Sequence, residues 1–247
     1  MGAKTGLLGY ADGEIVDALR HASEPSAEET TTMVRCLHPG WHVEPADDSS
    51  LGDGTYPPDG ITYGASHPGV DIICDRRLMI DYPSQLPDHL IRASAGRKLI
   101  LHAMHSVVDW LAFAVWEDGH LIRSLSLSPD NGIMENIGQP FPFEAPYWAG
   151  HRPVPPDPHW DDQEPYALPF HPLDLGEEAL RALFGFVLEG RPEPGDIDPD
   201  DVRLYGYRLT NPAGPDLAAR KAELETTIKA MGNPRRFRML SDRDDND

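Results

Sequence analysis

Lys98-Leu-Ile-Leu-His-Ala-Met-His-Ser-Val-Val-Asp-Trp-Leu-Ala-Phe-Ala-Val-Trp-Glu-Asp-Gly-His-Leu-Ile-Arg-Ser-Leu-Ser-Leu127 is the stretch on which the reading of the fold turns. Three β runs fit inside it: Lys98–Met104, Trp110–Glu117 and Leu121–Leu127. Asp118-Gly119 joins the last two, a strong hairpin signal because both turn positions must tolerate positive φ. The middle run is apolar on both parities, as a central strand covered on both faces would be. In the third run Leu121, Leu125 and Leu127 share one face, while Ile122, Ser124, Ser126 and Ser128 share the other. A rival reading makes residues 99–116 one buried helix. The aromatic and β-branched content and the Asp-Gly turn favour strands.

Outward from this core, Thr5–Tyr10 reads as a buried strand and Glu14–His21 as a short helix. Ser26-Ala-Glu-Glu29 is a capping box that opens a second helix, which must stop before Pro39. Residues 45–60 read as loop. Ile61–Ala65 and Val70–Arg76 form a hairpin across Ser66-His-Pro-Gly69, and Ser84–Ala95 has a helical apolar face. Residues 129–150 read as irregular and aromatic, and 151–172 as a long acidic loop with seven prolines. A helix capped by Asp174 and closed by Gly190 follows, then a strand at Val202–Leu209 and a tail helix over Pro215–Met231. The expected fold is α+β: a central, mostly antiparallel sheet flanked by helices. Residues 1–190 form one domain containing the proline-rich loop, and 191–247 a C-terminal strand, helix and frayed tail.

The chain carries 41 acidic against 21 basic side chains, a formal charge of −20. Such a surface repels phosphate backbones and anionic membranes, so neither nucleic acid nor membrane is expected as a partner. No apolar run approaches the roughly 20 residues of a membrane helix, and the first residues lack a signal-peptide pattern. The expected location is cytoplasmic. Cys36 and Cys74 are too few for a disulfide framework and sit among apolar residues, so both read as free thiols. No cofactor is indicated. Seventeen arginines against four lysines point to a GC-rich bacterial genome.

The densest chemistry lies in His102-Ala-Met-His105-Ser-Val-Val-Asp109-Trp110. On a helix His102, His105 and Asp109 would share a face and could hold a divalent metal. On a strand the two histidines point to opposite faces, and the groups satisfy the backbone and one another. The row Ser124, Ser126, Ser128 lacks a nucleophile-elbow motif and reads as a polar sheet face. Tyr147, Trp148, Trp160 and Tyr166 either form a partner-binding surface or staple a long loop to the core. His151, His159 and His171 lie among the prolines and acids of that loop.

The opening Met1-Gly-Ala-Lys-Thr5, Leu101-His-Ala-Met-His-Ser-Val-Val-Asp-Trp110, Phe113-Ala-Val-Trp116, Ser124-Leu-Ser-Leu-Ser-Pro-Asp130 and Pro146-Tyr-Trp-Ala-Gly150 carry a resemblance. They resemble an uncharacterised family of high-GC Gram-positive bacteria, over roughly residues 1–190. That resemblance implies no activity, cofactor or catalytic residue. The pattern of residues 99–127 is also similar, in architecture alone, to small α+β families of immunity proteins and chaperone-like accessory modules.

These observations favour a non-enzymatic binding or accessory module. It would recognise a protein or small ligand through His102, His105, Asp109, Trp110, Tyr147 and Trp148. The alternative is a metal-assisted hydrolase using His102, His105 and Asp109 with a bound water as nucleophile.

Overall fold

In the computed structural model of the chain, residues 2–156 and 165–212 are described. They form strands β1 (Lys4–Ala11), β2 (His42–Ser50), β3 (Ile61–His67), β4 (Val70–Cys74), β5 (Lys98–His105), β6 (Trp110–Glu117), β7 (His120–Ser128), β8 (Gly132–Ile137) and β9 (Arg203–Thr210). The helices are α1 (Ile15–Arg20), α2 (Ala27–Leu37), α3 (Leu51–Gly54), α4 (Asp88–Ala93), α5 (Ala145–Trp148) and α6 (Pro172–Phe184). All nine strands join one sheet in the order β2-β9-β3-β4-β1-β5-β6-β7-β8, and each neighbouring pair is antiparallel. The fold is α+β with the sheet dominant and the helices short. None of the described helices is long and apolar enough to cross a membrane. Contacts divide the chain into a unit Met1–Thr210 and a second from Asn211 onward. The helix expected over residues 215–231 lies outside the described residues.

Strands β1, β5 and β6 are buried on both parities because helices cover both faces of the sheet centre. On one face Leu7, Ile100, Met104, Leu111, Phe113 and Val115 pack under Leu175, Ala179, Leu180 and Phe184 of α6. On the other, Leu8, Tyr10, Leu99, Leu101, Ala114 and Trp116 pack with Val34 and Leu37 of α2 and Leu90 of α4. Asp118 and Gly119 take φ of 49° and 75° in the β6–β7 turn, the left-handed pair that their sequence signals. Ser26 caps α2, its hydroxyl accepting from the Glu29 amide.

The sequence reading needs four corrections. Residues 45–60 are not loop throughout: 45–50 belong to β2, an edge strand that among the described strands pairs with β9 alone. Its Pro45 and its acids suit an edge, which needs no apolar face and gains from groups that discourage further pairing. Residues 132–137 form the opposite edge, β8, rather than irregular chain. Pro87 divides the expected helix 84–95 into a 3-10 turn, Pro83–Gln85, and α4, because proline cannot donate to the preceding turn. Helix α6 starts with His171 as its cap and Pro172 in its first turn, and ends at Gly185, whose φ is +86°. Asp174 and Gly190 are not its limits.

Arg123 of β7 and Glu144 form an ion pair with no exposure on either side chain. Nε and Nη2 donate to the two carboxylate oxygens at 2.9 and 2.6 Å. Nη1 donates to Asn136 Oδ1 and the Ile137 carbonyl, while Glu144 also accepts from the Phe141 amide and the Trp148 indole. The charges are buried, but their donors and acceptors are matched, which is the condition for tolerating them.

Candidate functional site

His102 is fully buried on the α6 face, Nε2 lying 2.9 Å from the Gly176 carbonyl oxygen and Nδ1 2.9 Å from Thr5 Oγ1. A carbonyl only accepts, so Nε2 carries the proton and Nδ1 accepts from the threonine hydroxyl. A Cβ at Gly176 would lie 3.2 Å from Leu111 and Met104, so the glycine lets α6 rest close to the sheet and within reach of His102. Burial drives this imidazole down to about 4, although the Gly176 carbonyl pulls the other way. Both nitrogens are occupied.

His105 points to the opposite face, where Nδ1 accepts from the Val107 amide at 3.2 Å. Asp109 occupies the β5–β6 turn at φ +46°, a conformation that a short polar side chain tolerates. Its carboxylate meets neither histidine of its own segment but His171, whose Nε2 is 3.5 Å away. His171 Nδ1 accepts from the Leu173 amide, so its Nε2 proton faces Asp109 and no lone pair is left over. The Tyr166 ring stacks on that imidazole at 5.6 Å.

Trp110 is 7% exposed, and its Nε1–H has no partner among the described residues. Tyr147 donates to the Asp174 carbonyl at 3.0 Å, and burial raises its phenol to about 12. Trp148 donates to Glu144 at 3.1 Å and sets its ring edge-on to Phe170. The six residues singled out in the sequence therefore fall in separate places. His102 sits beneath α6, and Asp109 lies beside His171. Tyr147 and Trp148 pin the aromatic segment down, and His105 and Trp110 line one cleft. Among the described residues no three His, Cys, Asp or Glu side chains converge to hold a metal. The serine row is buried: Ser124 donates to Glu135, and Ser128 accepts from Asn131.

A different place gathers polar groups around an apolar hollow. Between the sheet and the ends of α2 and α4 lies a cavity of about 290 Å³. Leu8, Leu37, Ile73, Leu78, Ile80, Leu86 and Leu90 form its walls, and His38, Trp41, Asp75, Arg77 and His89 its polar end. Asp75 follows β4 and caps a 3-10 turn, Arg76–Leu78, accepting from the Arg77 amide at 2.8 Å. Its almost fully buried carboxylate also accepts from Arg77 Nε at 2.8 Å and from Nη2. The guanidinium carbon stands 4.5 Å over the Trp41 ring.

His38, at the C-terminus of α2, completes the array. Its Nδ1 lies 2.9 Å from the Val34 carbonyl oxygen, which only accepts, so Nδ1 carries the proton. Nε2 then accepts from Arg77 Nη2 at 3.1 Å. Burial, more than the nearby Arg77, lowers the imidazole below its ordinary value, so it is neutral near pH 7. Arg77 is held on two sides, by Asp75 and His38, and from above by Trp41. Its Nη1 has no described partner and remains free to donate.

None of the four residues in this array, His38, Trp41, Asp75 and Arg77, was singled out in the sequence. They come from α2, the chain after it and the end of β4, and no spacing links them. Asp75 and Arg76 fell inside the β run read over Val70–Arg76, whereas β4 ends at Cys74 and leaves Asp75 free to cap the following turn. Small-ligand sites are typically apolar hollows with a few convergent polar groups, and this cavity has that composition.

No curated protein and no solved structure matches the chain. The match to a protein family runs from residue 5 to residue 207, from β1 into β9, and therefore includes every element that lines the cavity. The chain belongs to that family, DUF6928, a family of unknown function.

Proposed function

We propose that this protein is a non-catalytic binding module. Its ligand is a small, largely apolar molecule with one hydrogen-bond-accepting head group, best a carboxylate. The observation that carries this reading is the guanidinium of Arg77, fixed by Asp75, His38 and Trp41 at the polar end of a 290 Å³ apolar cavity. A preset planar donor loses little freedom on binding, so its hydrogen bond to an acceptor is not offset by ordering. The volume lies at the lower end of the roughly 300–1,000 Å³ common for ligand pockets, which limits the ligand to small molecules. The neutral His38 accepts from Arg77 and directs its proton to the Val34 carbonyl, and among the described residues no hydroxyl or thiol lines the cavity to act as a nucleophile.

The test is a fluorescence titration with anilinonaphthalene sulfonate, which joins an apolar ring system to an anionic head, followed by displacement with octanoate. Saturable binding that octanoate displaces, weakened about tenfold or more by Arg77→Gln and blocked by Ile80→Phe, is the expected result. Binding that neither substitution changes would place the probe elsewhere and end the proposal. So would the absence of saturable binding.

A further inference from the structure

Across the segment Arg77–Asp81 the chain serves two hollows: Arg77, Leu78 and Ile80 line the apolar cavity, while Met79 and Asp81 line a second cleft of about 300 Å³. This second cleft lies at the β5–β6 turn and is closed by His105, Val108, Trp110, Ser128, Asp130 and Asn131. Its hydrogen-bond inventory does not balance. Trp110 is more than nine-tenths buried, and its indole N–H has no described acceptor. A buried, unsatisfied donor is costly and uncommon in a folded protein. His105 uses its Nδ1 lone pair on the Val107 amide, so its neutral ring presents a second proton at Nε2 with no described partner. Burial, aided by the Lys4 charge, lowers this imidazole and keeps it neutral. Asp81 and Asp130 bring carboxylates that accept from no described donor.

The cleft thus offers the N–H groups of Trp110 and His105 and the carboxylates of Asp81 and Asp130, beside the Ser128 hydroxyl and the Asn131 amide, which are bonded to each other, and Met79 and Val108 as apolar surface. Each class of simple ligand fails on one part of that set. An anion meets two carboxylates. A cation leaves both N–H groups unanswered. A metal ion finds no imidazole lone pair, since that of His105 is occupied. A hydroxyl both donates and accepts, and a ring bearing several of them also has C–H faces for the apolar side chains.

We infer that this cleft is a binding site for a small neutral polyhydroxyl ligand of the monosaccharide class. Trp110 and His105 donate to its oxygens, and Asp81 and Asp130 accept from its hydroxyls. The inference stands apart from the proposal for the apolar cavity, since the two sites share no lining residue.

The test is a panel of neutral monosaccharides titrated into the full chain at millimolar concentration. It is followed by ¹H–¹⁵N spectra of the indole region, where the Trp110 signal is assigned by its loss in Trp110→Phe. Phenylalanine removes the unpaired N–H together with part of the buried ring, so this variant should fold with some loss of stability, and Asp130→Asn, at an exposed position, tests the same site without that loss. The expected result is a saturable downfield shift of the Trp110 indole proton with at least one sugar. Affinity should fall about tenfold in Trp110→Phe and again in Asp130→Asn, with octanoate causing no such shift. The inference is overturned if no sugar moves the Trp110 signal, if Trp110→Phe binds as tightly as the native chain, or if the signal responds to calcium or manganese alone.

Discussion

Arg123 and Glu144 face each other through two parallel hydrogen bonds with no solvent contact on either side chain. The pair ties β7 to the segment that leads into α5, and Glu144 also holds the Phe141 amide and the Trp148 indole. Removing one member strands the other charge in the interior. Arg123→Met or Glu144→Gln is expected to cost about 3–5 kcal/mol. The double variant Arg123→Met/Glu144→Gln should be more stable than the sum of the single losses implies, because no charge is left unpaired. Urea denaturation of the four proteins measures this coupling, and strict additivity would show the pair to be unimportant.

His102 makes stability depend on pH with a definite sign. Its folded value of about 4 lies below the unfolded value of 6.5. Between those limits the unfolded chain binds more protons, so the contribution is complete above about pH 6.5 and is lost as pH falls toward 4. The gap corresponds to about 3 kcal/mol. Burial lowers His38 and His67 too, so their contributions have the same sign. Asn at position 102 keeps an acceptor for the Thr5 hydroxyl and does not titrate. Denaturation from neutral pH to about pH 4 should therefore show a steeper loss for the native chain than for His102→Asn; parallel curves would refute the assignment.

Gly6 couples the sheet to the cavity. Its carbonyl accepts from the Asp75 amide at 2.8 Å, and a Cβ placed on it would lie 2.3 Å from the Asp75 carbonyl oxygen. Gly6→Ala must displace Asp75 and with it Arg77. A stability loss of about 1–3 kcal/mol is expected, the usual cost of overpacking. Probe binding in the cavity should weaken in the same variant. Unchanged affinity would mean that the Asp75–Arg77 geometry does not matter for the ligand.

The two thiols should separate cleanly. Cys36 is exposed on α2, while Cys74 is wholly buried in β4, where burial and the Asp75 charge push its thiol upward. Ellman's reagent should label one cysteine in the folded protein and two after denaturation. Fast labelling of both under native conditions would place Cys74 at the surface.

The centre of this sheet was legible because burial on both faces leaves a direct imprint: Trp110–Trp116 can be apolar throughout only where both faces are covered. The edges were not. Residues 42–50 and 132–137 gain their strand character from one neighbour each, so His42-Val-Glu-Pro45 carries no alternation to read. The chemistry was legible only in part. Reading the segment as extended, with a strand over Lys98–Met104, already sets His102 and His105 on opposite faces, and β5 extends that strand to His105. What no local pattern could supply was the long-range partner: His171 for Asp109, Glu144 for Arg123, or His38 for Arg77. Each pair is made by strand order and helix docking, not by spacing along the chain.

The position of β9 sets an order of events for the polypeptide. This strand lies between β2 and β3, and β2 has no other neighbour among the described strands. As synthesis proceeds from the amino end, residues 42–50 wait without a pairing surface until residues 203–210 emerge. The outer flank of β3 stays open for just as long. Completion of one wing of the molecule is thereby deferred until β9 has emerged, and a ribosome that stalls before that point releases a chain with a ready-made seam for sticking to its neighbours.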